Sequence, residues 1–429
     1  MELFPKTKVV VIGAGELGAT AAVSLAESGH YDVTVLDRAP ILPAEDAAST
    51  DINKAVRADY IDRDYAVLAQ ESIRRWRGKE WEGVYHETGV LQRNLTRPEA
   101  VELFAAVQSL DPEGVRKLSS SEIRARLGPG SEGSAALQQS AYYNPSGGWA
   151  WSSGAIEKLY ARLRELNVSI VPSAELAELI RDGDAVVGVK LTDGREFRAD
   201  KVIAALGSWT GGHPALKGLL PKGLLVPTGQ TVAAVQLSPE EMEIYRDIPV
   251  NATQDGTGYY AFPPTASGVM KFALHSGGYT VPNDVPRTVL DPAAAAYAQE
   301  KGVGWIPRKS LALLREKLGE GFPALAKRKL KYTRMCYYSD TPDGDFVIDY
   351  AAPGLLVASG GAGHAFKFLP VMGEIIHARL EDRLPTHLKN KWRINRPVPE
   401  APSDDDRQGF GRQPLDLESL ATTAEMGAQ

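Results

Sequence analysis

Cysteine is almost absent: Cys336 is the only one in 429 residues. One thiol cannot form an intramolecular disulfide, and its solitude fits a reducing compartment. Histidine is scarce too. The seven present are scattered without paired spacing, so no metal site is expected. No apolar run approaches the length needed to span a bilayer, so no membrane partner is expected. The first strand opens by residue 8, which leaves no room for a signal peptide, and the C-terminal EMGAQ carries no peroxisomal tripeptide. The expected location is cytoplasmic. A strong excess of one charge is also lacking. The 48 basic and 54 acidic side chains give a net charge of −6, which offers no reason to expect nucleic acid as a partner. What is there is globular composition, 43% hydrophobic and 24% charged, in a chain long enough for two or three domains.

The N-terminus holds the most specific signal. Residues 8–18 read KVVVIGAGELG, and Asp37 closes a second apolar run, VTVLD. Val9 to Ile12 have no polar break, as a strand buried on both faces requires. Gly13, Gly15 and Gly18 follow at GxGxxG spacing. The first permits the tight turn, the second lets a pyrophosphate approach the backbone, and the third lets a helix lie against the strand. A helix over 19–28 would aim its free N–H groups at the phosphates. Asp37 lies nineteen residues past Gly18, where an acid accepts both ribose hydroxyls. The pattern implies ADP-ribose binding, with FAD or NAD favoured over NADP.

Further pieces lie far along the chain. Val186–Leu191, the Asp193-Gly194 turn and Glu196–Arg198 read as a hairpin or meander leading into an apolar strand, KVIAALG, at 201–207. LLVASGGAG at 355–363 reads as another buried strand, followed by glycines that include Gly361 and Gly363. The expected fold is α/β (α+β overall), with a discontinuous Rossmann-like FAD-binding domain and an inserted mixed-sheet substrate domain. The cofactor domain is expected over 1–84, 150–225 and 327–396, and the substrate domain over 85–149 and 226–326. A strand at 231–237 and a helix at 309–318 are expected within the insert. Residues 397–429, rich in Pro, Asp and Gly, read as an extended surface tail.

Five blocks together resemble the monomeric sarcosine oxidase family of flavoprotein amine oxidases: VVVIGAGELG, ASTDINKAVRADY, YYAFPPTASGVMK, CYYSDTPDGDFVID and GGAGHAFKFLP. They span residues 9–370, and the cysteine and GHAFKF blocks are specific. The fungal branch of fructosyl-amino-acid oxidases (amadoriases), saccharopine oxidases and pipecolate oxidases looks closest. The resemblance implies that Cys336 forms a thioether to FAD and that Lys271 activates oxygen. It implies that Tyr260 and His275 flank the substrate, and that Lys367 pairs with its carboxylate. Arg396, in KWRINRP, falls near the amadoriase arginine that completes that clamp. Lys54 and Arg57 match two cations near flavin and substrate, and their i, i+3 spacing suggests one helix face. Amadoriases carry a glutamate at the position of His275, so this chain departs from them there.

The reading is an FAD-dependent oxidase of a secondary amino acid of the N-methyl, cyclic or N-carboxyalkyl type. It forms an imine or iminium and reduces O2 to H2O2. The expected partners are the small-molecule amino acid and oxygen, and the expected state is a monomer. A fructosyl-amino-acid oxidase, an FAD dehydrogenase with another acceptor, and a non-catalytic flavin- or NAD-binding protein remain open alternatives.

Overall fold

The computed structural model describes residues 5–398 and 412–427. Its first layer is a six-stranded sheet drawn from three distant stretches. The strand order is Val347–Ala352, Leu355–Ser359, Lys201–Ala204, Thr7–Ile12, Tyr31–Leu36 and Ser169–Val171. All neighbours are parallel except the first pair. The unbroken apolar run at 9–12 is explained by burial on both faces. Val9, Val11 and Ile203 pack against the helices Glu16–Glu27, Ser152–Glu165 and Leu369–Leu380. Val10, Ile12, Val202 and Ala204 pack against an antiparallel sheet of Leu176–Asp182, Ala185–Leu191 and Glu196–Arg198. Period-2 alternation therefore persists, but both faces are apolar. The first helix starts three residues earlier than expected, at Glu16, directly after Gly15.

A second, ten-stranded mixed sheet occupies the insert. Its long strand Val226–Gln236 pairs on one side with Val269–Leu274 and on the other with Leu330–Asp340. The order continues through Tyr259–Ala261, Val250–Thr253, Val90–Arg93, Ala141–Asn144 and Arg116–Leu118. One face of this sheet buries Ala233, Val235, Phe272 and Leu274 under the helix Arg308–Gly321. The opposite face carries the polar residues of the site. Cys336 lies on Leu330–Asp340 and hence on this sheet, whereas the sequence assigned 327–396 to the cofactor domain.

The expected extended tail is also corrected over 412–427. Gln413–Pro414 pairs in parallel with Tyr279–Thr280, and Leu420–Thr422 pairs with Val303–Pro307, burying Leu420 and Ala421. Backbone donors left open at existing strand edges supply the driving force for this docking. The tail expectation over 399–411 and 428–429 lies outside the described residues.

Candidate active site

One cavity of about 410 Å³ runs between the two sheets. Gly13, Gly15, Asp37, Lys54, Arg57, Tyr260, His275, Gly361, Gly363 and Lys367 all line it, so ten of the sequence-derived candidates converge there. Gly18 supports it from behind. A Cβ on Gly18 would lie 1.8 Å from the Gly13 carbonyl oxygen, and one on Gly13 would lie 2.2 Å from that of Ala205. Only glycine allows this strand–turn–helix contact, and Gly13 also takes a φ of +101°. Gly15 caps the helix without a side-chain hydrogen bond, so the first-turn N–H groups remain open to an anionic ligand. Asp37 accepts from the Ala14 N–H at 2.8 Å and still lines the cavity. Arg38, next in sequence, is committed to Asp46 at 2.6 Å and lies over the Trp209 ring. It is thus held by protein partners rather than reserved for a 2′-phosphate. The glycine cradle, uncapped helix end and acid fit an ADP-ribose moiety.

The other end is built on the cavity face of the large sheet. Arg334, Val232, Ala273, Tyr260 and Ala252 are register neighbours across five strands, so their side chains share that face. Lys271 and Cys336, each two residues from a member of that row, point the same way. Lys271 is 1% exposed. Its ammonium donates to Asp51 Oδ2 at 2.8 Å and to the Asn53 carbonyl at 2.5 Å. It lies 4.8 Å from the ring of Phe262, which lines the cavity. Burial lowers the Lys271 pKa to about 8, opposed by Asp51 and reinforced by Lys54.

Asp51 has no role assigned to it in the sequence reading. It is buried and bridges Lys271 to Lys54, the latter at 3.0 Å. Burial works against its charge, but Lys271 and Lys54 outweigh it and hold the carboxyl well below the usual range. For Lys54, burial opposes the ammonium, while Cys336, Asp51 and Tyr260 together raise it. Two lysines thus share one carboxylate, leaving net positive charge beside the cavity. The Cys336 Sγ lies 3.8 Å from Lys54 Nζ.

Lys54 and Arg57 do not share a helix face. Residues 54–57 form a strand paired with Gly147–Ala150, so an i, i+3 pair points to opposite sides. Both nevertheless reach the cavity, and Arg57 donates to the Asp59 carbonyl at 2.5 Å. Arg396 also departs from its expected place in the substrate clamp. It is buried against Asp343 at 2.6 Å and donates to the carbonyls of Phe346, Arg393 and Asp345. It does not line the cavity; it locks the chain after the helix Thr386–Lys391 onto the turn before Val347–Ala352.

Lys367 donates to the Tyr60 hydroxyl at 2.8 Å and to the His364 carbonyl at 3.2 Å. Tyr338 OH lies 3.3 Å from His275 Nδ1. Gly363 must be glycine here: at φ +76° a Cβ would lie 2.3 Å from the Tyr338 ring and 2.8 Å from that of His275. Tyr260 is pushed up to about 12 by burial, with Lys54 opposing, so it stays a protonated donor. Glu16, also unforeseen, lines the cavity in the first helical turn. Burial raises its pKa to about 7 against the pull of Lys54 and Lys367.

Residues 8–379 match the family of FAD dependent oxidoreductases, and the chain belongs to that family. L-saccharopine oxidase of Schizosaccharomyces pombe is 30% identical over 409 residues, covering 90% of this chain and 92% of the relative. Monomeric sarcosine oxidase of a Bacillus species is 24% identical over 377 residues, covering 86% and 91%. The fructosyl peptide oxidase from E. terrenum superposes with a TM-score of 0.83 at 24% identity, over 96% of this chain and 97% of that one. That likeness establishes the shared Rossmann-like fold. The resemblance drawn from the five blocks therefore holds, and the protein is an FAD-dependent oxidoreductase. Among the described residues no helix is long and apolar enough to cross a membrane.

Proposed function

We propose that the protein is an oxidase of secondary amino acids, taking a C–N single bond to an imine or iminium and returning the electrons to oxygen as H2O2. The observation that carries the reading is the buried Lys54–Asp51–Lys271 triad beside Cys336, whose Lys54 lines the same cavity as Tyr260, His275 and Lys367. FAD, when bound, supplies the two-electron chemistry. The chain's residues do the rest. Gly13, Gly15, Gly18 and Asp37 hold the dinucleotide, with Gly361 and Gly363 giving the ring close access to the backbone. Lys367 meets the substrate carboxylate. Lys54, Arg57 and Lys367 disfavour an ammonium ion nearby and so favour the neutral amine that can react. Tyr260 and His275 shape the pocket. Lys271 contributes fixed positive charge where oxygen takes up electrons.

The covalent bond from Cys336 to FAD belongs to the same proposal. Acid precipitation of the holoenzyme should leave the yellow colour with the polypeptide, and Cys336→Ser should release it. Free FAD from the wild-type protein would refute the bond. The wider reading assigns 1–84, 150–225 and most of 327–396 to the cofactor, and 85–149 with 226–326 to the substrate. It also takes the protein as a cytoplasmic monomer, a state supported by the named monomeric relative and testable by light scattering. His275 weighs against fructosyl substrates. The functional test is a panel of amines read by anaerobic flavin bleaching: sarcosine, pipecolate and N-carboxyalkyl amino acids should bleach it faster than fructosyl-valine. Failure of every secondary amine to do so would overturn the assignment.

A further inference from the structure

Gln92 is fully buried, yet it lines the cavity with an unpaired donor. Its Oε1 accepts from Gln254 Nε2 at 2.8 Å, while its own Nε2 has no hydrogen-bond partner. A buried amide left half-satisfied is costly unless something completes it. Its place in the sheet tells what that is. Gln92, Ala252 and Tyr260 are register neighbours on three adjacent strands, all on the cavity face. Two strand spacings put Gln92 about 10 Å from Tyr260.

Between them the wall is small and apolar, formed by Ala252 and flanked by Val90 and Val250. Arg57 lines the cavity beside Val90: a Cβ on Gly147 would lie 3.3 Å from a Val90 methyl and 3.5 Å from the Arg57 Cα. The acidic lining residues Glu16, Asp37, Asp46 and Glu175 all lie outside the strands of this wall. The trough therefore has a smooth apolar floor and, at its far end, an amide donor without a protein partner.

We propose that Gln92 is a specificity-determining residue that reads a hydrogen-bond acceptor, in particular a carboxylate, carried on an apolar spacer at the far end of the substrate. The inference rests on the amine-oxidase reading and narrows it to elongated amino acids with a second acid group. Gln254 engages the Gln92 oxygen, which leaves the amide N–H groups as the unpaired pole.

Binding without turnover tests the wall separately from the chemistry. Holoenzyme is titrated calorimetrically with linear dicarboxylates from succinate to pimelate and with monocarboxylates of matched length. At the best length, the second acid should tighten binding at least tenfold, and Gln92→Leu should abolish that advantage. Gln92→Glu, nearly isosteric, should reverse it in favour of ω-amino acids, which a mere folding defect would not do. Equal affinity for mono- and dicarboxylates at every length, or an advantage that survives both substitutions, overturns the proposal. Anaerobic bleaching by N-(ω-carboxyalkyl)glycines and by N-alkylglycines then separates the two readings. Gln92-dependent dicarboxylate binding with no bleaching by any amine sinks the oxidase and leaves the wall. Bleaching that ignores both the terminal group and Gln92 sinks the wall and leaves the oxidase.

Discussion

Replacing Lys271 with methionine removes one charge from a buried triad without leaving its carboxylate bare. Asp51 sits 2.8 Å from Lys271 and 3.0 Å from Lys54, so it keeps a cation in the variant. The triad's net charge falls from +1 to 0, and the fold should tolerate the change better than loss of an isolated buried pair, which costs about 3–5 kcal/mol. A unit charge about 5 Å from a developing negative charge, at an effective dielectric of about 20, is worth about 3 kcal/mol. That matches the 10²- to 10³-fold loss, about 3 to 4 kcal/mol, typical of removing one preorganised catalytic charge. Stopped-flow absorbance separates the half-reactions. Reoxidation by oxygen should slow by about that factor, and anaerobic reduction by the amine should change far less. The pH profile adds a second readout. Burial lowers Lys271 to about 8, and a lysine is charged below its pKa, so wild-type reoxidation should slow as pH rises through about 8. The methionine variant should show no such step. Asp51→Asn removes a group that raises the Lys271 pKa, so the step should move to lower pH. An unchanged oxygen rate in Lys271→Met would refute the reasoning, as would a wild-type profile flat through this range.

Other residues make separable predictions. Lys367→Ala should weaken carboxylate inhibitors at least tenfold and spare the matching amides, since losing one partner of a buried charge pair costs about 2–5 kcal/mol; equal losses for acid and amide would remove Lys367 as the anchor. Arg396→Ala should lower stability by about 3–5 kcal/mol in denaturant titration, by stranding Asp343, without changing the acid-to-amide ratio. A changed ratio would restore Arg396 to the substrate clamp. Glu16 has a folded pKa raised from 4.5 to about 7, so ionisation is penalised in the native state. That penalty is absent below about pH 4.5, grows as pH rises to 7 and then levels at about 3 kcal/mol. Glu16→Gln should therefore match wild-type flavin-free protein at low pH and exceed it in stability at pH 8, and equal stability at both would contradict the raised pKa.

Much of the cofactor half was legible because local and global signals agree there. A strand buried on both faces needs an unbroken apolar run, a close helix needs Gly18, and a ribose needs an acid at the end of the next strand. Lys271 and His275 were readable only as what the resemblance implies, since the strand ends at Leu274 and its period does not carry His275. The misreadings occur where tertiary pairing decides. Residues 54–57 carry two cations at helical spacing, but pairing with Gly147–Ala150 makes them a strand. Arg396 looks like a surface residue until Asp343, fifty-three positions away, is brought against it. Asp51 sits three residues before Lys54, a spacing that reads equally well as a solvated pair. Its second partner, Lys271, is 220 residues distant. Gln92 gave no signal, because one amide in an apolar strand has meaning only through the cavity it faces. The short strands after 412 lack periodicity of their own and form by completing edges already present.

The central claim is that this cavity oxidises a secondary amine anchored by its carboxylate. The most direct measurement is anaerobic mixing of the holoenzyme with sarcosine, pipecolate, an N-carboxyalkyl amino acid and fructosyl-valine, following the flavin absorbance, with peroxide measured after oxygen is admitted. Bleaching by the first group ahead of fructosyl-valine, with H2O2 formed in proportion, is the expected result. A flavin that no secondary amino acid bleaches, or one bleached fastest by fructosyl-valine, would contradict it.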